Sequence, residues 1–221
     1  MSWDSTWETV FREKEMGKYP AESLIRFIAR NFYGKDRKTI KILEIGCGGG
    51  ANVWYMAKEG FDVYGIDGSE TAVKRAFSRV KDEGLSADLK TGDAEKLPYK
   101  DGYFDAVIDV ECLYSNPGKG AEKILAEVKR VLKKGGLFYS RTFADGMYTG
   151  SSREELGKLE YRGISDGPLA GKGFVRLIDR KGIDKLYGGA FDVVSVDKLE
   201  YTDSNGKIKI SEWIIISRNG D

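Results

Sequence analysis

The chain has 221 residues, enough for one α/β domain with a full hydrophobic core. Its 36 Lys and Arg nearly balance its 35 Asp and Glu, and the net charge of +1 gives no reason to expect nucleic acid or an anionic membrane as a partner. Histidine is absent, which excludes a Ser-His-Asp triad and removes the commonest general base and most transition-metal sites.

The cysteine content and the apolar runs of the sequence indicate the cellular compartment. The only two cysteines, Cys47 and Cys112, have no spacing typical of a disulfide scaffold or a zinc site. No apolar run approaches membrane-spanning length, and the first residues are acidic where a signal peptide would be basic. These features favour a cytoplasmic protein with no membrane association. They leave open whether it is a monomer or a homodimer.

The first 35 residues predict a helical cap. Trp3, Trp7 and Phe11 recur every four residues within a helical pattern over residues 2–18, and so share one face. That face either packs on the core or forms a flap over a ligand pocket. Tyr19 and Pro20 interrupt the pattern, and a second amphipathic helix is predicted over residues 21–32.

A glycine-rich turn follows the first predicted strand, residues 40–45. The turn carries Gly46, Gly48 and Gly50, and a helix begins at Ala51. Strand, glycine turn and helix are typical of the nucleotide-binding opening of a βαβ unit, since bare main chain and free helical N–H groups suit a ligand. The turn fits the dinucleotide fingerprint Gly-x-Gly-x-x-Ala, and fits better an acid-x-Gly-x-Gly-x-Gly motif that begins at Glu44.

The second predicted strand, residues 61–66, ends at Asp67, about twenty residues after Gly46. A carboxylate at this place can bind both hydroxyls of a ribose. The alternative role of Asp67 is to cap the helix predicted from residue 70. Asp67 therefore predicts a nucleoside ligand without distinguishing a dinucleotide from other nucleosides.

Three further segments complete the parallel part of the predicted sheet. A strand over residues 87–91 leads into Gly92-Asp93-Ala94, and a strand over residues 102–109 begins at Phe104-Asp105. A helix over residues 120–133 is predicted to stop at the paired glycines Gly135 and Gly136, before a strand over residues 137–142.

Four of these motifs, in this order, resemble the class I S-adenosylmethionine (SAM) dependent methyltransferases. They are Leu-Glu-Ile-Gly-Cys-Gly-Gly-Gly at 43–50, Gly-Asp-Ala at 92–94, Phe-Asp at 104–105 and Leu-Lys-x-Gly-Gly at 132–136. The resemblance implies that Asp93 accepts a hydrogen bond from the adenine amino group and that the Ala94 N–H reaches a ring nitrogen. The residues expected to contact SAM are Tyr19, Glu44, Gly46, Cys47, Gly48, Gly50, Asp67, Gly68, Asp93, Ala94 and Asp109, with no metal.

The C-terminal third is expected to hold the acceptor site. Residues 143–174 are rich in glycine and poor in periodicity, which predicts an irregular lid that binds the acceptor with Tyr148, Tyr161 and Arg162. A helix over 176–187 and a hairpin of strands 191–201 and 207–217 follow. The expected fold is a single Rossmann-like, doubly wound α/β domain over residues 1–221. Its seven-stranded sheet is mostly parallel, with one antiparallel strand from the C-terminal hairpin.

The function expected from the resemblance is methyl transfer from SAM to an oxygen or nitrogen of a small molecule, leaving S-adenosylhomocysteine. Without histidine, the candidates for a proton acceptor are Asp109, Glu111, Tyr114 and Asp145, and Asp109 alternatively binds the ammonium group of SAM. Two alternatives stay open. One is a SAM-binding protein without methyl transfer, such as an aminopropyl transferase or a sensor. The other is an NAD-dependent oxidoreductase, which the Asp93 motif and the final hairpin disfavour.

Overall fold

The computed structural model describes residues 3–220 as a seven-stranded sheet with helices on both faces and a small second sheet. The helices are α1 (Thr6–Glu13), α2 (Glu22–Phe32), α3 (Ala51–Lys58), α4 (Glu70–Asp82), α5 (Gly118–Val131) and α6 (Arg180–Leu186). The strands are β1 (Lys41–Ile45), β2 (Asp62–Asp67), β3 (Asp88–Thr91), β4 (Phe104–Val110), β5 (Leu132–Phe143), β6 (Glu154–Gly157), β7 (Glu160–Arg162), β8 (Val175–Arg176), β9 (Asp192–Asp203) and β10 (Ile208–Arg218). Within this described part, no helix is long and apolar enough to cross a lipid bilayer.

The strand order of the large sheet is β3-β2-β1-β4-β5-β10-β9. Strands β1 to β5 pair in parallel, and β10 runs antiparallel to both of its neighbours. This confirms the predicted fold class. The chain order reverses between β1 and β4, and the carboxyl ends of strands at such a switch point leave a crevice where ligands bind.

The central strands are apolar throughout because helices cover both faces of the sheet. Ile42 on β1 faces α2 and α3, and its neighbour Leu43 faces α5 and α6. Asp105, at the start of β4, has a structural role. Its carboxylate accepts a hydrogen bond from the Lys41 backbone at 2.9 Å and pairs with Lys133 Nζ at 2.7 Å.

The predicted helix stop at Gly135 and Gly136 is wrong. Helix α5 ends at Val131 and β5 begins at once, so both glycines lie inside the strand. The side-chain amide of Asn219, near the C-terminus, donates to the carbonyl oxygens of Lys129 and Leu132 at 3.2 and 2.9 Å. A distant residue thus satisfies the last carbonyl groups of the helix, where a local glycine cap was expected.

The segment 143–174 is not irregular. It contains the antiparallel pair β6 and β7, which continues onto β8, and it buries Ile164 and Leu169 against Phe143. Two further bounds differ from the sequence prediction. Helix α1 is limited to residues 6–13, and α6 begins only at Arg180, after an Asp179 side chain that accepts a hydrogen bond from Gly182. Strands of two to four residues are too short to show a period in the sequence.

Candidate functional site

A cavity of about 350 Å³ opens at the carboxyl ends of β1, β2 and β4, within the size range of small-molecule sites. Most of the sequence-predicted site residues line it. They are Tyr19, Glu44, Gly46, Cys47, Gly48, Asp67, Gly68, Asp93, Ala94, Glu111 and Tyr114. The predicted cofactor and proton-acceptor residues that do not line it are Gly50, Asp109 and Asp145.

The glycine turn brings main chain close to the neighbouring loops. Gly46 has a φ of +63°, and a Cβ on it would lie 2.5 Å from Cys112 Cβ. Gly50, at +80°, faces away from the cavity, and a Cβ there would lie 2.8 Å from Ala76 Cα. Gly50 therefore lets α3 pack on α4, whereas Gly46 and Gly48 form the cavity wall.

Asp67 joins the ends of β1 and β2. Its Oδ2 accepts a hydrogen bond from the Gly48 N–H at 2.9 Å, and its Oδ1 accepts one from the Ser69 N–H at 2.8 Å. Burial raises the pKa of Asp67, and these two N–H groups oppose the rise. The cap of α4 is Ser69, whose hydroxyl accepts from Ala72. Each carboxylate oxygen keeps a lone pair, so Asp67 is able to accept further hydrogen bonds from a ligand.

Glu44 is a buried carboxyl at the floor of the cavity. Its Oε1 accepts a hydrogen bond from Asn52 at 2.6 Å, and its Oε2 is buried without a partner among residues 3–220. Burial, reinforced by the charges of Asp67 and Asp109, raises the pKa of Glu44 to about 8. A buried acceptor atom without a donor suits a cationic ligand group, and SAM carries an ammonium group. The residues present therefore fit SAM at this end of the cavity.

The adenine end is expected beside Asp93 and Ala94, which follow β3. Asp93 Oδ1 accepts a hydrogen bond from the Glu95 N–H at 3.0 Å, and both Asp93 and Ala94 face the cavity. Trp3 covers the backbone of Gly68, where a Cβ would lie 2.4 Å from the indole ring. Only glycine leaves room for Trp3 to lie this close to the end of β2.

Tyr19 lies at the mouth of the cavity. Its side chain is exposed, and its ring packs edge-on against Trp54 with the centroids 6.3 Å apart.

The four candidate proton acceptors separate into two pairs. Glu111 and Tyr114 line the cavity, whereas Asp109 and Asp145 do not. Burial raises the pKa of Asp109 to about 6, although its carboxylate accepts hydrogen bonds from Ser140 and from backbone N–H groups after β4. Asp109 is therefore buried in the sheet and stabilises the turn after β4 by accepting its backbone hydrogen bonds. Asp145 is joined to Ile178 through its backbone, outside the cavity.

Glu111 and Tyr114 belong to the turn that follows β4. Glu111 has a φ of +60°, a strained conformation for a residue other than glycine and one found disproportionately at functional sites. Tyr114 is buried, its hydroxyl has no partner within the described chain, and burial raises its pKa well above the ordinary value. The Tyr114 hydroxyl therefore stays protonated.

Helix α1 closes one side of the cavity and is fixed to α4. Trp7 and Phe11 of α1 line the cavity, so the face predicted as either a packing stripe or a flap does both. Glu8 accepts hydrogen bonds from the hydroxyls of Ser69 and Thr71, each at 2.6 Å. These bonds lower the pKa of Glu8 to about 2.

Two cationic residues at the cavity were missed by the sequence analysis. Arg141 lies at the end of β5 and pairs with the buried Glu212 at 2.5 Å. Lys172 comes from the insertion and lines the cavity, while the residues expected there, Tyr148, Tyr161 and Arg162, do not. Tyr148 donates its hydroxyl to Asp166 at 2.7 Å. The sequence held no signal for Lys172, because its segment has no periodicity.

Comparison with known proteins agrees with this geometry. Residues 43–140 match the family model of a methyltransferase domain. The chain is 32% identical over 171 residues to a sterol 24-C-methyltransferase, ERG6B, of Gibberella zeae, covering 74% of this chain and 42% of that protein. It is 36% identical over 106 residues to a ubiquinone biosynthesis O-methyltransferase of Maricaulis maris, covering 47% and 40% respectively.

A solved SAM-dependent methyltransferase structure from Methanosarcina mazei matches with a TM-score of 0.71 and 22% identity, covering 90% of this chain and 98% of that one. At this identity the match shows the fold. The chain spans about half the length, or less, of the first curated relatives it matches.

Proposed function

Because the chain carries a methyltransferase domain of the class I SAM-dependent family, we propose that it transfers the methyl group of SAM to a small-molecule acceptor and releases S-adenosylhomocysteine. The observation that carries the proposal is the buried Oε2 of Glu44 beside the glycine turn, which has no hydrogen-bond partner in residues 3–220. It is the feature a ligand cation would satisfy, and an NAD molecule offers no ammonium group to it.

The cofactor contacts we propose follow the cavity wall. Glu44 receives the ammonium group, Asp67 the ribose hydroxyls, and Asp93 with Ala94 the adenine edge. Main chain at Gly46 and Gly48 lies against the ligand without side chains in between. Gly50 and Asp109 support this wall from behind and make no ligand contact of their own.

When bound, SAM supplies a methyl group already activated by its sulfonium. The chain must then hold the acceptor in line with that methyl group and keep water out, and such positioning supplies up to roughly 7–11 kcal/mol in favourable cases. Helix α1 excludes water on one side, where Trp7 and Phe11 close the cavity. For a hydroxyl acceptor, Glu111 is the carboxylate placed to take the proton.

The acceptor we propose is a small molecule carrying an oxygen or nitrogen nucleophile. The relatives named for sterol and ubiquinone biosynthesis act, by those names, on small molecules. The balanced net charge gives no electrostatic reason to expect a nucleic acid as the acceptor. We further propose a cytoplasmic location and a monomeric or homodimeric state.

The test is incubation of the protein with methyl-labelled SAM and a pool of cell metabolites. We expect label in a small molecule and an equal amount of S-adenosylhomocysteine. Asp67→Ala should lower both at limiting SAM, and Asp82→Ala, at the far end of α4, should leave both unchanged. Release of methylthioadenosine would instead identify an aminopropyl transferase, and tight SAM binding without any product would identify a sensor.

A further inference from the structure

The part of the cavity beyond the proposed cofactor contacts is built from aromatic rings and hydrogen-bond donors. Trp7 and Tyr114 meet edge to face with centroids 6.3 Å apart, and Tyr114 and Phe143 do so at 4.7 Å. Lys172 Nζ lies 6.0 Å from the Trp7 ring and 5.8 Å from the Phe143 ring. Trp7, Tyr114 and Lys172 line the cavity, and Phe143 is buried outside it against Tyr114. We call these four residues the aromatic cage.

Three polar atoms of the aromatic cage have no hydrogen-bond partner among residues 3–220. Trp7 Nε1 and the Tyr114 hydroxyl are buried without a partner, and Lys172 Nζ has no carboxylate within ion-pair distance. An indole N–H and an ammonium group only donate, and a protonated phenol donates readily. Buried donors that lack acceptors are costly, which indicates a ligand that brings its own acceptor atom.

The backbone around Lys172 is arranged to hold it at the cavity. Its neighbours Gly171 and Gly173 both have positive φ, at +72° and +70°. A Cβ on Gly173 would lie 2.5 Å from Asp4 Oδ2, and the same oxygen accepts a hydrogen bond from the Phe174 N–H at 3.1 Å. The N-terminal segment thus fixes the chain just after Lys172, and we call this held segment, residues 171–174, the strap.

Among the described residues that line the cavity, Lys172 is the cation without an ion-pair partner. Arg141, the other cation of this wall, is already paired with Glu212. Burial lowers the pKa of Lys172, and the negative charge of Glu111 opposes that change. An anion bound beside Lys172 would stabilise the charged ammonium group and so oppose the effect of burial on its pKa.

We propose that the aromatic cage binds the methyl acceptor, and that the acceptor is a flat, conjugated organic anion whose ionised oxygen contacts Lys172. The ring of Trp7 packs on the flat body, and the Tyr114 hydroxyl, whose ring is held in place by Phe143, donates to the same oxygen or to one beside it. The inference rests on the proposed function and adds the chemical class of its acceptor. It also moves the anion contact from Arg162, which lines a separate surface pocket with Asp4 and Thr6.

The probes are benzoate, its neutral isostere benzamide and the cation benzylamine. Each is titrated into protein saturated with S-adenosylhomocysteine and followed by ligand-observed NMR. We expect benzoate to bind at least about tenfold more tightly than the other two, a difference of ~1.4 kcal/mol. Lys172→Met should remove that preference, and Lys172→Arg should restore most of it.

Arg162→Met is the matched control, since it removes a cation from the same insertion but outside the cavity, and it should bind benzoate like the wild type. Equal benzoate affinity in the wild type and Lys172→Met would overturn the proposal, as would no binding of any probe. A preference for benzylamine would overturn it too and would assign acceptor recognition to Glu111. Failure of S-adenosylhomocysteine itself to bind would instead reject the proposed function.

Discussion

The backbone N–H of Gly48 donates a hydrogen bond to Oδ2 of Asp67 at 2.9 Å, so the glycine turn after β1 is fixed to the end of β2. Asp67 therefore has two roles, one in the turn and one proposed in ribose binding. Its other oxygen holds the Ser69 N–H, which begins α4. A single carboxylate thus orients both the glycine turn after β1 and the start of α4 at the proposed cofactor site.

Asp67→Ala is expected to weaken S-adenosylhomocysteine binding by roughly 1.5–3 kcal/mol, the range for hydrogen bonds to a charged group. It should also lower the free energy of unfolding, because two backbone N–H groups lose their acceptor. Asp67→Asn retains one acceptor oxygen, so its affinity and its stability should fall between those of the wild type and of Asp67→Ala. Calorimetry and urea denaturation measure the two effects separately. Unchanged affinity with reduced stability would limit Asp67 to a structural role.

Glu44→Gln is expected to change stability and binding in opposite directions. The folded pKa of Glu44 is about 8, above the ordinary 4.5, so the folded state keeps a proton that the unfolded state releases. The wild type without ligand should therefore lose stability relative to Glu44→Gln as pH rises from 4.5 to 8, since one pKa unit corresponds to ~1.4 kcal/mol.

Urea denaturation of wild type and Glu44→Gln at pH 5 and pH 8 measures this difference. Binding of S-adenosylhomocysteine at pH 8 should be weaker in Glu44→Gln by roughly 1.5–3 kcal/mol, because the ammonium group loses its charged partner. A stability difference that does not depend on pH would show that Glu44 is already ionised in the folded protein.

Glu8→Ala should loosen α1 over the cavity, because Ser69 and Thr71 lose the carboxylate that accepts from both. We expect faster amide hydrogen exchange in residues 6–13 and an S-adenosylhomocysteine Kd about threefold to tenfold higher, roughly 0.7–1.4 kcal/mol. Glu13→Ala, an exposed change in the same helix, is the control. Exchange rates that match between the two variants would argue against the Glu8 contact.

The contact of Glu8 also has a pH dependence of known sign. Its folded pKa of about 2 is below the ordinary 4.5, so its contribution is complete above pH 4.5 and is lost as pH falls toward 2. Acid should therefore release α1 in the wild type. In Glu8→Ala, the hydrogen exchange of α1 should show less change between pH 5 and pH 3.

Asp109→Ala tests whether this carboxyl is structural or takes part in the chemistry. Its removal leaves the backbone N–H groups of Cys112 and Leu113 without their acceptor, while the Ser140 hydroxyl keeps the Tyr187 hydroxyl as a partner. Each buried unsatisfied group costs about 1–3 kcal/mol, so we expect the free energy of unfolding to fall by about 2 kcal/mol or more. Full stability together with lost turnover would return Asp109 to the chemistry of the site.

The sequence predicted the parallel strands well because their ends are chemically marked. Strand β1 begins one residue after its predicted start and β4 ends one residue after its predicted end, where apolar runs meet Gly46 and Glu111. The direction of the Asp109 side chain was not predictable. Neighbouring residues of a strand face opposite sides of the sheet, and when both sides are buried the pattern of residue types does not show which is which.

Contacts between residues far apart in the sequence were the second feature that could not be predicted. Asn219 ends α5 although 87 residues separate it from Leu132. Lys172 reaches the cavity through a strap held by Asp4, and neither residue shows a local pattern in the sequence. Both depend on tertiary packing, which motif spacing does not contain. The residues that line the proposed cofactor side of the cavity were therefore largely predictable, and those on the proposed acceptor side were not.

The proposed SAM site is tested most directly by a calorimetric titration of the wild-type protein with S-adenosylhomocysteine, its inosine analogue and NAD. We expect S-adenosylhomocysteine to bind at one site. We expect weaker binding of the inosine analogue, whose carbonyl oxygen would face the Asp93 carboxylate, and no heat from NAD. Binding of NAD without any heat from S-adenosylhomocysteine would contradict the proposed function.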